Sequence, residues 1–315
     1  MSKPLKILVI RFSSIGDIVL TSPVVRCLKK QLNSEVHFLT KKRFFCLLEN
    51  NPHVHQLHAI EDGVENLKAH AFDWIIDLHH NLRTFQVKRA LGVPTKSFHK
   101  LNIEKWLLTT FKINRLPNKH IVDRYLETVS HLGVINDNLG LDYFLAKNES
   151  LPKGLKLPEK YVALVIGGQY ATKVLPTDRL QEVCRKVNLP IVIVGGQEDK
   201  LIGEEIAKNQ TEVIETCGDL SINQSAYLIK HAQKVITHDT GMMHIAAAFK
   251  KEIISIWGNT VPEFGMYPYL ANEKSKMLEV KNLSCRPCSK IGYKKCPLGH
   301  FKCMNQIDLD LLSRE

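Results

Sequence analysis

The sequence predicts an α/β protein made of two doubly wound parallel-sheet domains that face a central cleft. Short apolar runs alternate with amphipathic stretches along almost the whole chain, and this alternation is typical of parallel sheets covered by helices on both faces. Residues 151–158 (LPKGLKLP) break the alternation with two prolines and a glycine and so indicate a linker. A chain of 315 residues is long enough for two domains. We therefore predict domains at residues 1–150 and 159–315.

The elements of the first half follow from their apolar periodicity. Short apolar runs predict buried strands at residues 5–10 (LKILVI), 36–40 (VHFLT) and 74–78 (WIIDL). Residues 18–32 and 121–132 carry apolar side chains at helical spacing and predict helices.

The second half repeats this pattern after the linker. Ser221 and Gln224 have the spacing of a capping box, which marks the start of a helix. The predicted strands are 161–166, 190–194, 234–237 and 251–257. The predicted helices are 177–187, 198–208, 221–231 and 244–249.

The charge of the chain is strongly positive. Lys and Arg outnumber Asp and Glu by 43 to 32, and the formal charge of +11 favours an anionic partner. A membrane-spanning helix needs an apolar run of about 20 residues, and every apolar run in this sequence is much shorter. A short strand also occupies the place where a signal peptide would have its cleavage site. We therefore expect a cytoplasmic protein.

Positive charge is concentrated between Arg83 and Arg124, where ten Lys and Arg residues stand against two acids. Within this region, residues 106–111 (WLLTTF) place apolar bulk beside the bases. That combination suits a protein that docks on an anionic membrane surface. The alternative is a solvated helix face with Trp106 and Phe111 in the core, which we favour for these two aromatics.

Four polar turns follow predicted strands. Ligands of open α/β sheets bind at the carboxyl ends of strands, so these turns are expected to line one site. The first turn lacks GxGxxG, and a nicotinamide-binding fingerprint is therefore not supported. The turns are residues 11–17 (RFSSIGD), 77–83 (DLHHNLR), 167–173 (GGQYATK) and 195–199 (GGQED).

A further strand-to-helix turn lies in residues 235–249 (VITHDTGMMHIAAAF). Asp239 and Thr240 are N-cap types, and Gly241 leaves the backbone open to a ligand. The first N–H groups of a helix have no intrahelical partner, so such a turn binds phosphate well. An ordinary capped helix is the alternative.

Several motifs together point to a known family. Residues 11–23 (RFSSIGDIVLTSP) strongly resemble the start of the glycosyltransferase family 9 heptosyltransferases. Residues 171–173 (ATK), 195–198 (GGQE) and 238–244 (HDTGMMH) fall in that family's order and spacing, and the resemblance covers nearly the whole chain.

This resemblance implies a GT-B fold with an N-terminal acceptor-binding domain and a C-terminal nucleotide-sugar-binding domain. It implies transfer of a heptose from ADP-heptose to the inner core of lipopolysaccharide, with inversion and without a metal or other catalytic cofactor.

The same resemblance assigns two catalytic residues. Asp17 matches the family's base, which takes the proton of the acceptor hydroxyl, and we expect burial to raise its pKa once the cleft closes. Lys173 matches the lysine that contacts the donor phosphate, and the alternative for it is a solvated loop lysine.

The donor site is implied in the same way. Glu198 resembles the residue that binds the ribose, and Asp239 the residue that holds the donor sugar's hydroxyls. His244 lies four residues after Thr240 on the same helix face, so it either reaches the donor or is packed. The amides expected to donate to the diphosphate are those of Thr240, Gly241 and Met242.

For the acceptor, Arg83 is the best single contact. The inner core carries carboxylates and phosphates, and a guanidinium binds a carboxylate in bidentate fashion.

The eight cysteines form two groups. Four lie in periodic segments and are predicted to be buried core thiols, namely Cys27, Cys46, Cys184 and Cys217. The other four form a C-terminal cluster, namely Cys285, Cys288, Cys296 and Cys303. In a reducing compartment this cluster predicts either a structural zinc site or free, redox-active thiols. A metal there is expected to be structural and far from catalysis.

Three rival functions remain open. One is transfer from another nucleotide sugar, and the second is a GT-B-like sugar-nucleotide epimerase. The basic acceptor-side surface and the Asp17 turn argue against the epimerase. The third is nucleic-acid binding, suggested by the charge and the zinc-like tail. The bases do not interleave with stacking aromatics in a recognised module, which argues against nucleic acid.

Overall fold

The computed structural model describes residues 3–312, so the outermost residues of both predicted domains, 1–2 and 313–315, lie outside it. The chain separates into two compact units. Unit 1 comprises Met1–Lys100 and Lys119–Ala146, and unit 2 comprises Leu101–Asn118 and Lys147–Glu315. Residues 101–118, which the sequence analysis placed in the first domain, therefore belong to unit 2.

Unit 1 is built on a five-stranded sheet with the order β3-β2-β1-β4-β5, in which every pair is parallel. The inner strands are almost wholly buried because neighbouring strands and helices cover them. The strands are β1 (Lys6–Ile10), β2 (Glu35–Thr40), β3 (Gln56–Ala59), β4 (Trp74–Asp77) and β5 (Thr95–Ser97).

The helix predicted at residues 18–32 is two helices in the structure. The chain leaves the first at Leu20 and starts the second at Ser22, with Pro23 in its first turn, where the missing N–H costs nothing. The predicted helix at 121–132 likewise ends at Leu126, before a 3-10 turn at Ser130–Leu132. The helices of unit 1 are α1 (Ile15–Val19), α2 (Ser22–Leu32), α3 (Glu65–Lys68), α4 (Leu82–Leu91) and α6 (Ile121–Leu126), with α5 (Asn102–Phe111) in unit 2.

Unit 2 contains a six-stranded, wholly parallel sheet with the order β11-β10-β9-β6-β7-β8. Counted from its own first strand, this is the 3-2-1-4-5-6 order of dinucleotide-binding folds. The strands are β6 (Val162–Val165), β7 (Ile191–Val194), β8 (Val213–Glu215), β9 (Lys234–His238), β10 (Glu252–Trp257) and β11 (Lys276–Glu279).

The remaining helices pack on this second sheet. The predicted capping box is confirmed, because Gln224 N–H donates to Ser221 Oγ and Ser221 N–H donates to Gln224 Oε1. The helices are α7 (Thr177–Lys186), α8 (Lys200–Ala207), α9 (Ile222–His231), α10 (Gly241–Ala248) and α11 (Lys302–Asn305).

Helix α5 joins unit 2 through an apolar contact, since Leu108 packs in a buried cluster with Val261 and Phe264. Its two aromatics are not in the core. Trp106 is 52% exposed and Phe111 is 57% exposed, so the core placement that we favoured for them is wrong. Among the described residues, no helix is long and apolar enough to cross a membrane.

Each sheet has one point where the strand order reverses, and ligands of such sheets bind there. In unit 1 it lies between β1 and β4, and in unit 2 between β6 and β9. The turns that leave these four strands are turns that the sequence marked as polar.

Candidate functional site

In unit 1, Asp17 is held by a buried arginine from its own turn. Arg11 Nη2 lies 2.7 Å from Asp17 Oδ1. Ser14 donates to Asp17 Oδ2 from its hydroxyl at 2.8 Å and from its amide at 3.2 Å. The carboxylate is 19% exposed. It is therefore accessible and fixed in direction.

Arg11 itself ties the two turns at the reversal point together. Its Nη1 donates to the carbonyl of Leu78, just after β4, at 2.6 Å and to the Tyr125 hydroxyl at 3.1 Å. The turns after β1 and β4 are thus joined through one guanidinium.

The pKa of Asp17 is lowered within unit 1, whereas the expected rise concerned burial in a closed cleft. Burial by itself would raise the pKa of this carboxyl, but the charge of Arg11 and the hydrogen bonds from Ser14 outweigh burial. Asp17 is therefore a fully ionised carboxylate that is less basic than a free aspartate.

The turn after β4 contains a structural acid and an exposed arginine. Asp77 is fully buried and lies 2.8 Å from Lys88 Nζ, and it accepts hydrogen bonds from the amides of His79 and His80. Its task is therefore to shape the turn. Arg83, by contrast, lies exposed in the first turn of α4.

His79 is the member of this turn that sequence analysis did not single out. Its ring packs against Phe12 in a tilted arrangement, with the ring centroids 4.9 Å apart. Burial lowers its pKa to about 4, and the nearby Arg11 charge acts in the same direction. A neutral imidazole therefore lies in the electrostatic environment of Arg11 and Asp17.

In unit 2, the reversal point holds a partly buried ion pair. Lys173, from the turn after β6, places Nζ 2.5 Å from Asp239 Oδ2, directly after β9. Thr260, in the turn after β10, donates to the same oxygen at 2.9 Å. The lysine is 18% exposed and the aspartate 11% exposed. Three loops therefore converge on one carboxylate oxygen.

His238 fixes the loop that carries Lys173. Its Nε2 accepts a hydrogen bond from the Leu175 amide at 3.1 Å. Burial lowers its pKa to about 4, which keeps the ring neutral. The sequence placed this histidine in a motif but gave no signal of its role.

Helix α10 begins beside the ion pair. Thr240 is its N-cap in an extended conformation, and within the described chain its hydroxyl makes no cap bond and lies 3.3 Å from Thr237 Oγ1. The amides of Gly241 and Met242 lie in the first turn, where helix amides have no intrahelical partner. His244, on the same helix, is only 2% exposed. Of the two alternatives for this residue, the structure therefore shows the packed ring.

The turn after β7 presents two acids in different settings. Glu198 is exposed, and Asp199 is half-buried and accepts a hydrogen bond from the Gly196 amide at 2.8 Å. Gly167 and Gly195 pack around Asp199, since a Cβ on either would overlap its side chain. Burial raises the pKa of Asp199. Asp199 therefore shapes the turn, and Glu198 is the acid available to a ligand.

The cysteine tail lies against this site. Arg286 donates to the carbonyls of Gly258 at 2.5 Å and Thr260 at 2.8 Å. The Tyr293 amide donates to Thr172 Oγ1 at 2.8 Å, next to Lys173. The tail therefore contacts the loops that carry Thr260 and Lys173 through Arg286 and Tyr293.

The four tail thiols are mutual neighbours. Burial raises the pKa of Cys288 and raises that of Cys303 to about 11, and the other thiols of the cluster add to both shifts. His300 Nε2 lies 3.9 Å from Cys285 Sγ. Thiols and an imidazole in one cluster are a donor set that suits zinc.

The predicted core thiols are confirmed in three of four cases. Cys27, Cys184 and Cys217 are buried, whereas Cys46 is only partly buried. The prediction for Cys46 is therefore wrong.

Comparison with known proteins gives a family. The model of glycosyltransferase family 9 (heptosyltransferase) matches residues 63–298 of this chain. Lipopolysaccharide heptosyltransferase 1 of Campylobacter coli is 23% identical over 289 residues, which cover 81% of this chain and 84% of that protein.

Two solved structures share the fold. The glycosyl transferase family 9 protein of Veillonella parvula DSM 2008 has a TM-score of 0.71 at 22% identity, covering 88% of this chain and 86% of its own. The ADP-heptose lps heptosyltransferase II of E. coli also has a TM-score of 0.71, at 19% identity, covering 99% of this chain and 100% of its own. The predicted GT-B class with two parallel-sheet α/β domains is confirmed.

Proposed function

Because the chain belongs to glycosyltransferase family 9, the heptosyltransferases, we propose that it transfers a heptose from ADP-heptose to the lipopolysaccharide inner core, with inversion and without a catalytic metal. The observation that carries this proposal is the Lys173–Asp239 pair at the reversal point of the second sheet. Membership of this family makes the chain a glycosyltransferase and argues against the epimerase and nucleic-acid-binding alternatives. A donor with another nucleotide or sugar is the remaining competitor.

Donor binding is proposed at the turns of unit 2. The diphosphate lies against the first-turn amides of α10. It also replaces Asp239 as the partner of the Lys173 ammonium. Asp239, freed from the lysine and still positioned by Thr260, accepts hydrogen bonds from the donor sugar's hydroxyls. Glu198 lies after the second strand of its sheet, where an acid binds ribose in dinucleotide-binding folds.

A lysine and helix amides also explain why no catalytic metal is needed. As the bond between the anomeric carbon and the diphosphate oxygen breaks, negative charge develops on the leaving ADP. Positive charge that is already in place stabilises it without reorganisation. This is the task that a divalent cation has in other diphosphate chemistry.

Proton transfer is proposed to fall to Asp17. The acceptor oxygen bonds to the anomeric carbon on the face opposite the diphosphate, which inverts the configuration, and Asp17 takes the hydroxyl proton. Because Arg11 lowers the basicity of Asp17, the proton moves late, once bonding to carbon has made the hydroxyl more acidic. Arg83, exposed on α4, is proposed to bind an acidic group of the inner core.

We predict that Asp17→Asn lowers the transfer rate at least about 1000-fold, since a base and its orientation are lost together. ADP affinity stays unchanged because the donor lies on unit 2. Asp62→Asn, a surface acid of the same unit, is the control. Rates with saturating donor and ADP titration by calorimetry give both quantities, and turnover close to that of the control would refute the assignment.

The pH profile adds a second readout. The base works as the carboxylate, and the pKa of Asp17 lies below its usual value of 3.8. Lowering the pH from 8 to 5 therefore does not protonate Asp17, and the rate should show no acid limb from this group in that range. An acid limb near neutrality that disappears in Asp17→Glu would contradict the lowered pKa.

We predict that Lys173→Met weakens ADP binding and slows transfer, each by about 10- to 100-fold, because a charge-assisted bond to phosphate contributes about 1.5–3 kcal/mol. Lys208→Met, an exposed lysine of the same unit, should leave both unchanged. Isothermal titration with ADP checks the first effect and steady-state kinetics the second. Wild-type ADP affinity in Lys173→Met would mean that its ammonium stays on Asp239.

We propose that the enzyme works at the cytoplasmic face of the inner membrane and that α5 contacts this surface. Ile103 is 70% exposed, and Trp106 and Phe111 are both more than half exposed and packed edge to face at 5.1 Å. Exposed aromatics on a helix that is followed by the exposed bases Lys112 and Arg115 of the same unit suit an anionic lipid interface.

We predict that Trp106→Ser/Phe111→Ser lowers binding to vesicles of phosphatidylethanolamine and phosphatidylglycerol by about tenfold or more, since two half-exposed rings lose apolar burial. Leu201→Ser, at a 78% exposed leucine on α8, is the matched control. Vesicle co-sedimentation measures both. Equal sedimentation of the two variants would place the lipid contact elsewhere.

We propose that Cys285, Cys288, Cys296 and Cys303 hold a structural zinc, which would stiffen the tail where it supports Lys173 and Thr260. Cys285→Ser/Cys288→Ser should contain one zinc fewer than the parent protein in elemental analysis, and residues 258–261 should exchange amide hydrogen faster. Cys46→Ser is the control. Unchanged exchange in the variant, or a metal-free and fully protected parent protein, would favour free thiols.

A further inference from the structure

A cluster of histidines lies on the sheet of unit 1, on elements that the proposed chemistry does not use. His37 is in the middle of β2, His58 is on the edge strand β3, and His70 lies between α3 and β4. The strand register aligns His37 with Gln56 and Leu39 with His58, so the two strand histidines occupy the same face of the sheet. Three separate segments therefore bring imidazoles to one place.

The geometry of these three residues matches that of metal ligands. One ring nitrogen from each of His37, His58 and His70 lies within 4.8 Å of the other two. His37 Nδ1 lies 2.9 Å from His58 Nε2, and the rings of His58 and His70 have centroids 4.7 Å apart. In a tetrahedral site with bonds of about 2.0–2.1 Å, ligand nitrogens lie about 3.3–3.4 Å apart, so the hydrogen-bonded nitrogens of His37 and His58 need to separate by only about 0.4 Å to admit an ion.

The most buried member has an unused nitrogen. His37 is 2% exposed, and among the described residues its Nε2 has no hydrogen-bond partner. Leaving a polar atom buried and unpaired is costly and uncommon. His58 and His70 are only partly buried, so an ion can reach the cluster from solvent.

The rings are also in the state that binds metals. Burial, together with the charges of the neighbouring histidines, lowers the pKa of His37 to about 3 and that of His58 to about 4. Neutral imidazoles offer a lone pair at physiological pH.

We propose that His37, His58 and His70 form a binding site for a divalent transition-metal ion, with Zn²⁺ as its natural occupant. Imidazole is a ligand for Zn²⁺, Cu²⁺ and Ni²⁺, whereas Ca²⁺ and Mg²⁺ take oxygen ligands. Three protein ligands leave one tetrahedral position for water.

A second trio shares His37 but is less suitable. Glu35, His37 and His55 also lie within 4.8 Å. Glu35 already faces the ammonium of Lys6 at 3.9 Å, and His55 is exposed. Binding there would displace an ion pair and order a solvated ring.

The position indicates a structural task. Leu39 is paired with Ile10, beyond which the Arg11–Asp17 turn begins, and His37 lies two residues before Leu39 on the same strand. The ion would therefore join the edge strand β3 and the α3–β4 connection to β2, away from the carboxyl ends that carry the chemistry. This inference does not depend on the proposed reaction.

Cobalt titration of the metal-free full chain tests the site. Thiolate ligands give Co²⁺ intense ultraviolet charge-transfer bands, and imidazole ligands do not, so the cysteine tail and the histidine cluster are separable in one spectrum. The metal-free parent protein should bind two Co²⁺ ions, one at the cysteine tail with thiolate bands and one with visible d–d absorption that adds no thiolate intensity, and Zn²⁺ should displace both. In Cys285→Ser/Cys288→Ser only the second ion should bind. The variants His58→Ala and His70→Ala should lose this ion, whereas His99→Ala, an exposed histidine of the same unit, should retain it.

The size of the loss in metal affinity distinguishes a direct ligand from a residue that only supports one. Loss of a residue that only supports a metal ligand weakens binding by about 10- to 100-fold, so loss of a direct ligand is expected to cost more than about 100-fold. With Cys285→Ser/Cys288→Ser as the common background, saturating Zn²⁺ should raise the melting temperature of that protein and of its His99→Ala variant but not that of its His70→Ala variant. Circular dichroism of the metal-free variants confirms that they fold. Cobalt binding that is equal in His70→Ala and His99→Ala, or only thiolate-type spectra in the parent, would overturn the proposal.

Discussion

The ion pair between Lys173 and Asp239 is the interaction on which the second unit's site depends. Strand order places the turns after β6 and β9 next to each other, and the pair neutralises two charges that are largely shielded from water. Partly buried charges are costly without partners, so Thr260 and Arg286 belong to the same arrangement. Thr260 donates to the carboxylate, and Arg286 holds the Thr260 turn. In the proposed reaction, the donor replaces one partner of this pair at a time, so that neither charge is left alone.

The first unit also pairs a carboxylate with a cation, but with a different consequence. Arg11 keeps the Asp17 carboxylate ionised and fixes its direction, and it lowers the basicity of that carboxylate. A base of this kind suits a reaction in which the acceptor hydroxyl becomes acidic as its bond to carbon forms. Both units thus place a carboxylate against a cation at the reversal point of a parallel sheet. In the proposed mechanism, one carboxylate positions the donor sugar and the other takes a proton.

The sequence was sufficient for the inner strands of both sheets but not for their edges. The strands β1, β2, β4, β6, β7, β9 and β10 are apolar runs because neighbours cover both sides, and all were predicted. The edge strands β3, β5, β8 and β11 were not, since residues such as Thr95–Ser97 and Lys276–Glu279 carry polar side chains toward solvent. The candidate site divides in the same way. Motifs identified Asp17, Lys173 and Asp239, whereas Thr260, His238 and the histidine cluster depend on contacts between distant segments, which no local pattern records. The lowered pKa of Asp17 likewise required the geometry of Arg11.

The most direct test of this account is transfer itself, measured without divalent metal. The purified chain is incubated with ADP-heptose and a panel of truncated lipopolysaccharide cores in EDTA, and products are read by mass spectrometry. The account predicts that one core gains the mass of a single heptose with release of one ADP, and that EDTA does not reduce the yield. The account would be contradicted if every core stayed unmodified while another nucleotide sugar supported transfer, or if product formed only after a divalent cation was restored.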